Sequence, residues 1–155
     1  MEIENSVILI TGASSGIGEA TARAAAQAGA RLVLIARRWE RLTRLAAELP
    51  GALAVEGDVT RGEDIQRAVA AALDGYGRID ALINNAGQGL HVPIDQVDPD
   101  DFRSILDLNV IAPLMAMQAV LPTMRRQRSG SIINVSSGTS LMTLPGVPTL
   151  RPKRP

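Results

Sequence analysis

Short runs of consecutive apolar residues alternate along this chain with longer segments whose apolar positions recur every three or four residues. That is the pattern of buried parallel strands joined by crossover helices. Val7 to Ile10, Arg31 to Ala36, Ala52 to Val55, Ile79 to Asn84 and Ser131 to Val135 read as five strands. Between them, Gly16 to Ala28, Arg38 to Leu49, Gly62 to Leu73 and a long segment from Pro99 to Met124 read as helices. Gly29 and Pro50-Gly51 supply stops, and Asp98, Asp100 and Asp101 stand where a helix dipole is positive. The expected order is (βα)4β, an α/β fold with a doubly wound parallel sheet.

After Ser137 the texture changes, with Pro145, Pro148, Pro152 and Pro155 and three basic residues among the last five. Such a stretch cannot continue as helix or central strand. The expected division is a folded α/β domain over 1–138 and a Pro/basic-rich, disordered tail over 139–155.

Composition narrows the function classes. The 155 residues carry 16 Lys+Arg against 16 Asp+Glu and no cysteine, so disulfides and Cys-ligated zinc are out, and no His/Asp/Glu cluster has metal-ligand spacing. A balanced charge and only Trp39, Tyr76 and Phe102 as aromatics argue against a nucleic-acid partner. The acidic amino terminus lacks the basic flank of a secretory signal, so cytoplasmic residence is expected. The weakly charged stretch Leu108 to Met124 is interrupted by Asn109, Pro113, Gln118 and Pro122, and is expected to fall short of a membrane span.

Candidate chemistry begins directly after the first strand, at Thr11-Gly12-Ala13-Ser14-Ser15-Gly16-Ile17-Gly18. A glycine-rich turn opening a helix points backbone N–H groups and a helix dipole at an anion, and the glycines remove side chains that would block the turn or the anion. The second strand ends Ala36-Arg37-Arg38. A site preferring NAD would place a carboxylate there for the ribose 2′-hydroxyl, whereas Arg37 offers a fork suited to a 2′-phosphate. The bland alternative is that Arg37, Arg38 and Arg41 form one solvated cluster at a helix start.

With these residues the chain resembles the short-chain dehydrogenase/reductase family, whose glycine motif is TGxxxGxG. Further elements follow in family order: Asp58-Val59, Asn84-Asn85-Ala86-Gly87, Asn109, and Ile133-Asn134-Val135-Ser136-Ser137. The resemblance runs from residue 3 to about 147, roughly the amino-terminal three-fifths of a family member, and implies part of a seven-stranded Rossmann-type sheet. It also implies an oxidoreductase transferring hydride between NADP(H), favoured over NAD(H), and a small-molecule alcohol/ketone pair, with an intact member forming a homo-oligomer.

By the resemblance, Gly12, Ser14, Ser15, Gly16, Ile17, Gly18 and Arg37 would hold the phosphates and ribose. Asp58 would accept from the adenine amino group with the Val59 backbone beside it; alternatively it is a capping or turn aspartate. Asn85, Ala86 and Gly87 would line the adenosine ribose and nicotinamide side, and Asn84 is expected to lock the sheet.

Ser137 matches the family's catalytic serine; the alternative is that Ser136 and Ser137 only cap a strand end. Asn109 matches its asparagine. Pro113, four residues on, has no N–H to offer the Asn109 carbonyl, which would be free to bind water, as the family role requires; the alternative is a plain kink. The family's Tyr and Lys fall, by count, on Leu150 and Arg154, neither of which can do that chemistry. The chain as written is therefore expected to lack full activity. With a CTA codon for Leu150 the next frame would read Tyr, so a truncation or frameshift near residue 147 is one explanation. A non-catalytic nucleotide-binding or interaction protein is the alternative. His91, the single histidine, is expected to lie on loop surface or in a pocket wall.

Overall fold

The computed structural model describes residues 2–90 and 92–136. Five strands, β1 (Val7–Thr11), β2 (Arg31–Ala36), β3 (Ala52–Glu56), β4 (Ala81–Asn84) and β5 (Ser131–Asn134), form one sheet in the order β3-β2-β1-β4-β5. Every pairing is parallel. The chain winds outward from β1 to β3, then returns to place β4 and β5 on the other side of β1, which is the doubly wound topology expected from the alternating pattern.

Both faces of the sheet are covered at its central strands, and the side-chain period of two explains why these read as unbroken apolar runs; at β5, Ile133 stays exposed. Val7, Leu9, Val33, Ile35 and Leu82 point to one face, where they pack with Ile65, Ala68 and Val69 of α3 (Gly62–Tyr76) and Ala112, Ala116 and Val120 of α5 (Ala112–Gln127). Ile8, Ile10, Leu32, Leu34 and Ile83 point to the other, against Ala22 and Ala25 of α1 (Gly16–Gln27) and Leu42 and Leu45 of α2 (Trp39–Glu48).

The long helical segment is more articulated than its sequence suggests. It comprises α4 (Pro99–Leu106), capped by the Asp98 side chain accepting from the Asp100 and Asp101 amides, a widened turn over Asp107–Ile111, and α5. In the widened turn the Ala112 N–H reaches the Asp107 carbonyl, five residues back. That is how the helix accommodates Pro113, which has no N–H to give. The whole helix, Pro99–Gln127, starts earlier than the stretch weighed in the sequence, and by length and composition alone it could cross a bilayer. Its inward row of Ala112, Ala116, Val120 and Met124 is buried on the sheet instead.

Strand β4 begins two residues later than expected, and at the first of the two, Ile79, a side chain occupies the backbone groups. The Gln127 amide accepts from Ile79 N at 3.0 Å and donates to Ile79 O at 2.8 Å, as a strand neighbour would. Next to it, the buried Asp80 carboxylate accepts from Val7 N at 2.9 Å and from Arg78 Nε, also at 2.9 Å. Burial alone would push the Asp80 carboxyl up, but the Arg78 hydrogen bonds, the Val7 amide and the Arg78 charge hold it below its usual range.

Asp80→Ala is expected to lower the unfolding free energy by about 1–3 kcal/mol at pH 7, since Val7 N–H loses its acceptor at a buried strand end. Because the folded pKa is depressed, the carboxylate's contribution is present above the unfolded value of about 3.9 and disappears as pH falls through the folded value. Urea unfolding at pH 7 and at about pH 3 checks both points: the variant should differ less from the native chain at the lower pH.

Candidate cofactor site

The carboxyl ends of β1, β2, β3 and β4 open into one cleft of about 430 Å³. It lies over the point where the chain changes direction between β1 and β4, the place where doubly wound sheets hold ligands. Its floor is the glycine loop, with Gly12, Ser14, Ser15 and Ile17; Ala36, Arg37 and Arg38 come from the end of β2. Gly57, Asp58 and Val59 follow β3, Asn85, Ala86, Gly87 and Gln88 follow β4, and Leu108 reaches in from the widened turn of the long helix.

Two glycines are required by close approach. A Cβ on Gly12 would lie 2.8 Å from Ala86 Cα, and one on Gly18 would lie 2.5 Å from both Gly12 O and Asn85 Nδ2. The loop after β1 is thus pressed against the loop after β4. Thr11 stitches the two together: its hydroxyl oxygen accepts from Asn85 N at 2.9 Å and Ala86 N at 3.0 Å. The Asn85 amide donates to Thr11 O at 3.0 Å and Gly12 O at 3.3 Å. Asn85 therefore stands in the cleft wall as expected, but its side-chain donors already hold the protein. Asn84 locks the sheet, donating to Asn134 Oδ1 at 2.8 Å.

At the start of α1 the hydroxyl of Ser15, the N-cap, makes no cap hydrogen bond. It is met instead by Arg38 Nη2, and Arg38 Nε donates to the buried Ser14 hydroxyl at 3.1 Å. Arg37 is also exposed and stands 3.9 Å from Asp58 Oδ2. A guanidinium, two hydroxyls and a helix N-terminus thus converge at one lip, a donor set suited to phosphate. Sequence reasoning singled out Arg37 and left Arg38 in the solvated cluster. The signal available was the adjacency of the two arginines at a strand end, which does not say which one turns back.

Asp58 takes up the turn role considered for it. One carboxylate oxygen accepts from Thr60 N at 3.0 Å and Thr60 Oγ1 at 2.8 Å, an Asx turn, while the other faces Arg37. The Val59 side chain is buried in the α3 and α5 side of the core, and the residue lines the cleft.

Asn109 sits in the widened turn, and its side chain clamps the loop after β4 from both sides. Its Oδ1 accepts from Gln88 N at 3.0 Å and its Nδ2 donates to Gln88 O at 2.8 Å. A Cβ on Gly87 would lie 3.1 Å from that same Oδ1. The sequence argument pointed to the Asn109 carbonyl; the side-chain clamp on Gln88 carries no sequence signal.

Tyr76 has no path to this chemistry. Its hydroxyl donates to Gly51 O and its ring faces Arg31, at the amino-terminal edge of the sheet, where burial holds its pKa above the usual phenol value. Ser137, Leu150, Arg154, His91 and the tail after residue 138 lie outside the described residues. Among the described residues no group of His, Asp or Glu side chains could hold a metal ion.

A parallel, doubly wound sheet with a glycine-lined, phosphate-suited cleft at its switch point defines a nucleotide-binding α/β protein. Comparison with known proteins narrows this further. The family model for short chain dehydrogenase matches residues 6–149, and the chain belongs to that family.

An uncharacterized oxidoreductase of Listeria innocua is 42% identical over 150 residues, which is 94% of this chain and 60% of the relative. A short-chain dehydrogenase/reductase from Burkholderia phymatum, solved with NAD, matches with a TM-score of 0.89 at 30% identity, over 95% of this chain and 54% of that one. A metagenomic short-chain oxidoreductase, solved with NADP, matches with a TM-score of 0.84 at 32% identity, over 93% of this chain and 67% of that one. The chain thus spans about 60% of the length of the curated relative.

Proposed function

We propose that this chain is the cofactor-binding part of an NADP(H)-dependent oxidoreductase acting on an alcohol/ketone pair. The observation that carries the reading is the lip where Arg38 meets Ser14 and Ser15 beside Arg37, with Ala36 offering no carboxylate to a ribose 2′-hydroxyl.

The residues fit such a group. Gly12, Gly16 and Gly18 with Ser14, Ser15 and Ile17 would hold the pyrophosphate against the start of α1, and Arg37 and Arg38 would take the 2′-phosphate. Asp58 and Val59 would flank the adenine, and Asn85, Ala86 and Gly87 would line the path toward the nicotinamide. When bound, the cofactor supplies a hydride acceptor or donor. Asn109 would keep that path open through its hold on Gln88 and, with Ser137, would belong to the proton-handling side.

Counted from Ser137 by the family's spacing, Leu150 and Arg154 would occupy the positions of its Tyr and Lys. Loss of a general acid typically costs on the order of 10²–10⁴ in rate, so this chain should bind cofactor while turning over ketones poorly or not at all. That observation favours the second reading, a non-catalytic nucleotide-binding protein, for the chain as written. A row of exposed apolar residues at four-residue spacing on the long helix, Phe102, Leu106, Val110 and Leu114, supports homo-oligomerisation. Cytoplasmic residence goes with this reading.

Calorimetric titration with NADPH and NADH tests the assignment. NADPH should bind about 10- to 100-fold tighter, the worth of one or two charge-assisted hydrogen bonds to a phosphate. Arg37→Ala and Arg38→Ala should each narrow that gap. Equal affinities would remove the NADP preference, and saturation by neither dinucleotide would remove the reading altogether.

A further inference from the structure

The turn that brings Asp58 to the cleft is held from behind by two side chains of α3 that the cofactor reading does not use. Asp64, in the first turn of α3, is buried, with only 5% of its surface exposed. Its Oδ2 accepts from Asp58 N at 2.7 Å, and its Oδ1 meets Arg67 Nη1 at 2.5 Å. Arg67 Nη2 donates in turn to Glu56 O at 2.8 Å. Two residues one helical turn apart thus grip the backbone on either side of Gly57. The fit is tight, since a Cβ on Gly57 would lie 2.9 Å from Asp64 Cβ and 3.0 Å from Ile35 Cδ1.

An acidic residue in a first helical turn ordinarily reaches back to the N-cap amide. Here the N-cap is Arg61, and Asp64 passes over it to the amide of Asp58, the residue in the cleft wall. The carboxylate of Asp58 is meanwhile divided between Thr60 and Arg37. The Asp58 carbonyl accepts from Arg61 N at 2.9 Å and Gly57 N donates to Ala36 O at 3.1 Å, so the hydrogen bond that Asp64 accepts is the side-chain hold on the Asp58 amide and helps to set where Asp58 stands relative to Arg37. The geometry points to Asp64, braced by Arg67, as a positioning residue for the adenosine end of the dinucleotide. It touches no ligand itself and acts through the Gly57–Asp58 backbone. This rests on the cofactor reading above.

The test titrates the full chain with NADPH and with 2′,5′-ADP, the adenosine half alone, for the native protein, Asp64→Ala, Asp64→Asn and Arg67→Ala. Asp64→Ala should weaken both ligands by the same factor of about ten, the loss expected when one hydrogen bond to a charged group no longer holds the wall. Asp64→Asn keeps an oxygen that can accept from Asp58 N and should stay within about threefold of the native protein. Arg67 lies at the surface, so its alanine variant keeps the comparison available if Asp64→Ala does not fold; it should weaken 2′,5′-ADP by roughly three- to tenfold.

Native 2′,5′-ADP affinity in Arg67→Ala and in any folded Asp64→Ala, with only melting temperature lowered, would overturn the positioning role, as would Asp64→Asn binding no better than Asp64→Ala. If the native chain saturates with neither ligand, it is the cofactor reading itself that fails.

Discussion

Gly18→Ala is expected to lower the unfolding free energy by about 1–3 kcal/mol, the usual cost of forcing an extra methyl into a closed contact, and to abolish saturable NADPH binding. The added carbon would lie 2.5 Å from Gly12 O, a backbone atom that moves only if the whole loop moves, and 2.5 Å from Asn85 Nδ2. Relieving the contact pushes the glycine loop off the loop after β4. That breaks the Asn85 hydrogen bonds to Thr11 O and Gly12 O and displaces the amides that would meet the pyrophosphate.

Gly16→Ala serves as the contrast. Nothing lies within 4 Å of a Cβ there, and the cost comes from its φ of +56°, a left-handed conformation worth roughly 1–2 kcal/mol against an L side chain. Chemical denaturation and calorimetry on the two variants separate the cases. Both lose stability, but only Gly18→Ala must also shift Gly12. Native-like NADPH affinity in Gly18→Ala would show that the two loops slide freely past one another and that the cradle is not preformed.

Much of this fold was legible because the forces that shape it are local or periodic. Five apolar runs separated by amphipathic segments can bury both faces of a sheet in few other ways, and the glycine spacing after β1 requires a tight turn between a strand and a helix. The boundaries that shifted did so for reasons outside their own segments. Ahead of β4, Gln127, 48 residues further on, occupies the backbone of Ile79. The long helix is broken by a widened turn because Pro113 has no N–H, yet where the extra residue falls depends on packing against the sheet and not on the proline alone.

The candidate site divides in the same way. Gly12, Gly18, Asp58, Asn85, Ala86 and Gly87 were found because each belongs to a short motif at the end of a strand; the cleft gathers all of them but Gly18, which packs behind it on Gly12 and Asn85. The contacts that hold those motifs in place were not legible, even where the residue itself, Asn109, was. Arg38 turns toward Ser14 and Ser15, Asn109 clamps Gln88, and Asp64 reaches Asp58, across separations of 24, 21 and 6 residues. Only the last is near enough in sequence for a helix-start pattern to hint at it, and it departs from that pattern by skipping the N-cap. Hydrogen bonds from long polar side chains to distant backbone atoms have no periodicity, so the support of a site is less readable than the site.

Thr11 shows how much such support can carry. It closes β1 with only 3% of its surface exposed, and its single hydroxyl oxygen accepts from two successive amides, Asn85 and Ala86, at 2.9 and 3.0 Å. Thr11→Val preserves shape while removing both acceptor sites at once. Each stranded amide costs about 1–3 kcal/mol where water cannot replace the partner, and both lie at a half-buried cleft edge where water can partly enter. The expected loss is therefore about 2–4 kcal/mol in unfolding free energy. Thr11→Ser keeps the oxygen and removes one methyl, and should cost only about 1 kcal/mol.

Binding should follow the same order, because the amides released by valine belong to the segment that Gly12 touches and that Asn109 holds from its far side. NADPH affinity should fall sharply in Thr11→Val and little in Thr11→Ser. Urea unfolding and calorimetry on the pair decide the matter. If valine and serine behave alike, the hydroxyl is not the stitch between the two loops, and the preformed cleft must rest on the Gly12 and Gly18 contacts and the Asn85 amide instead.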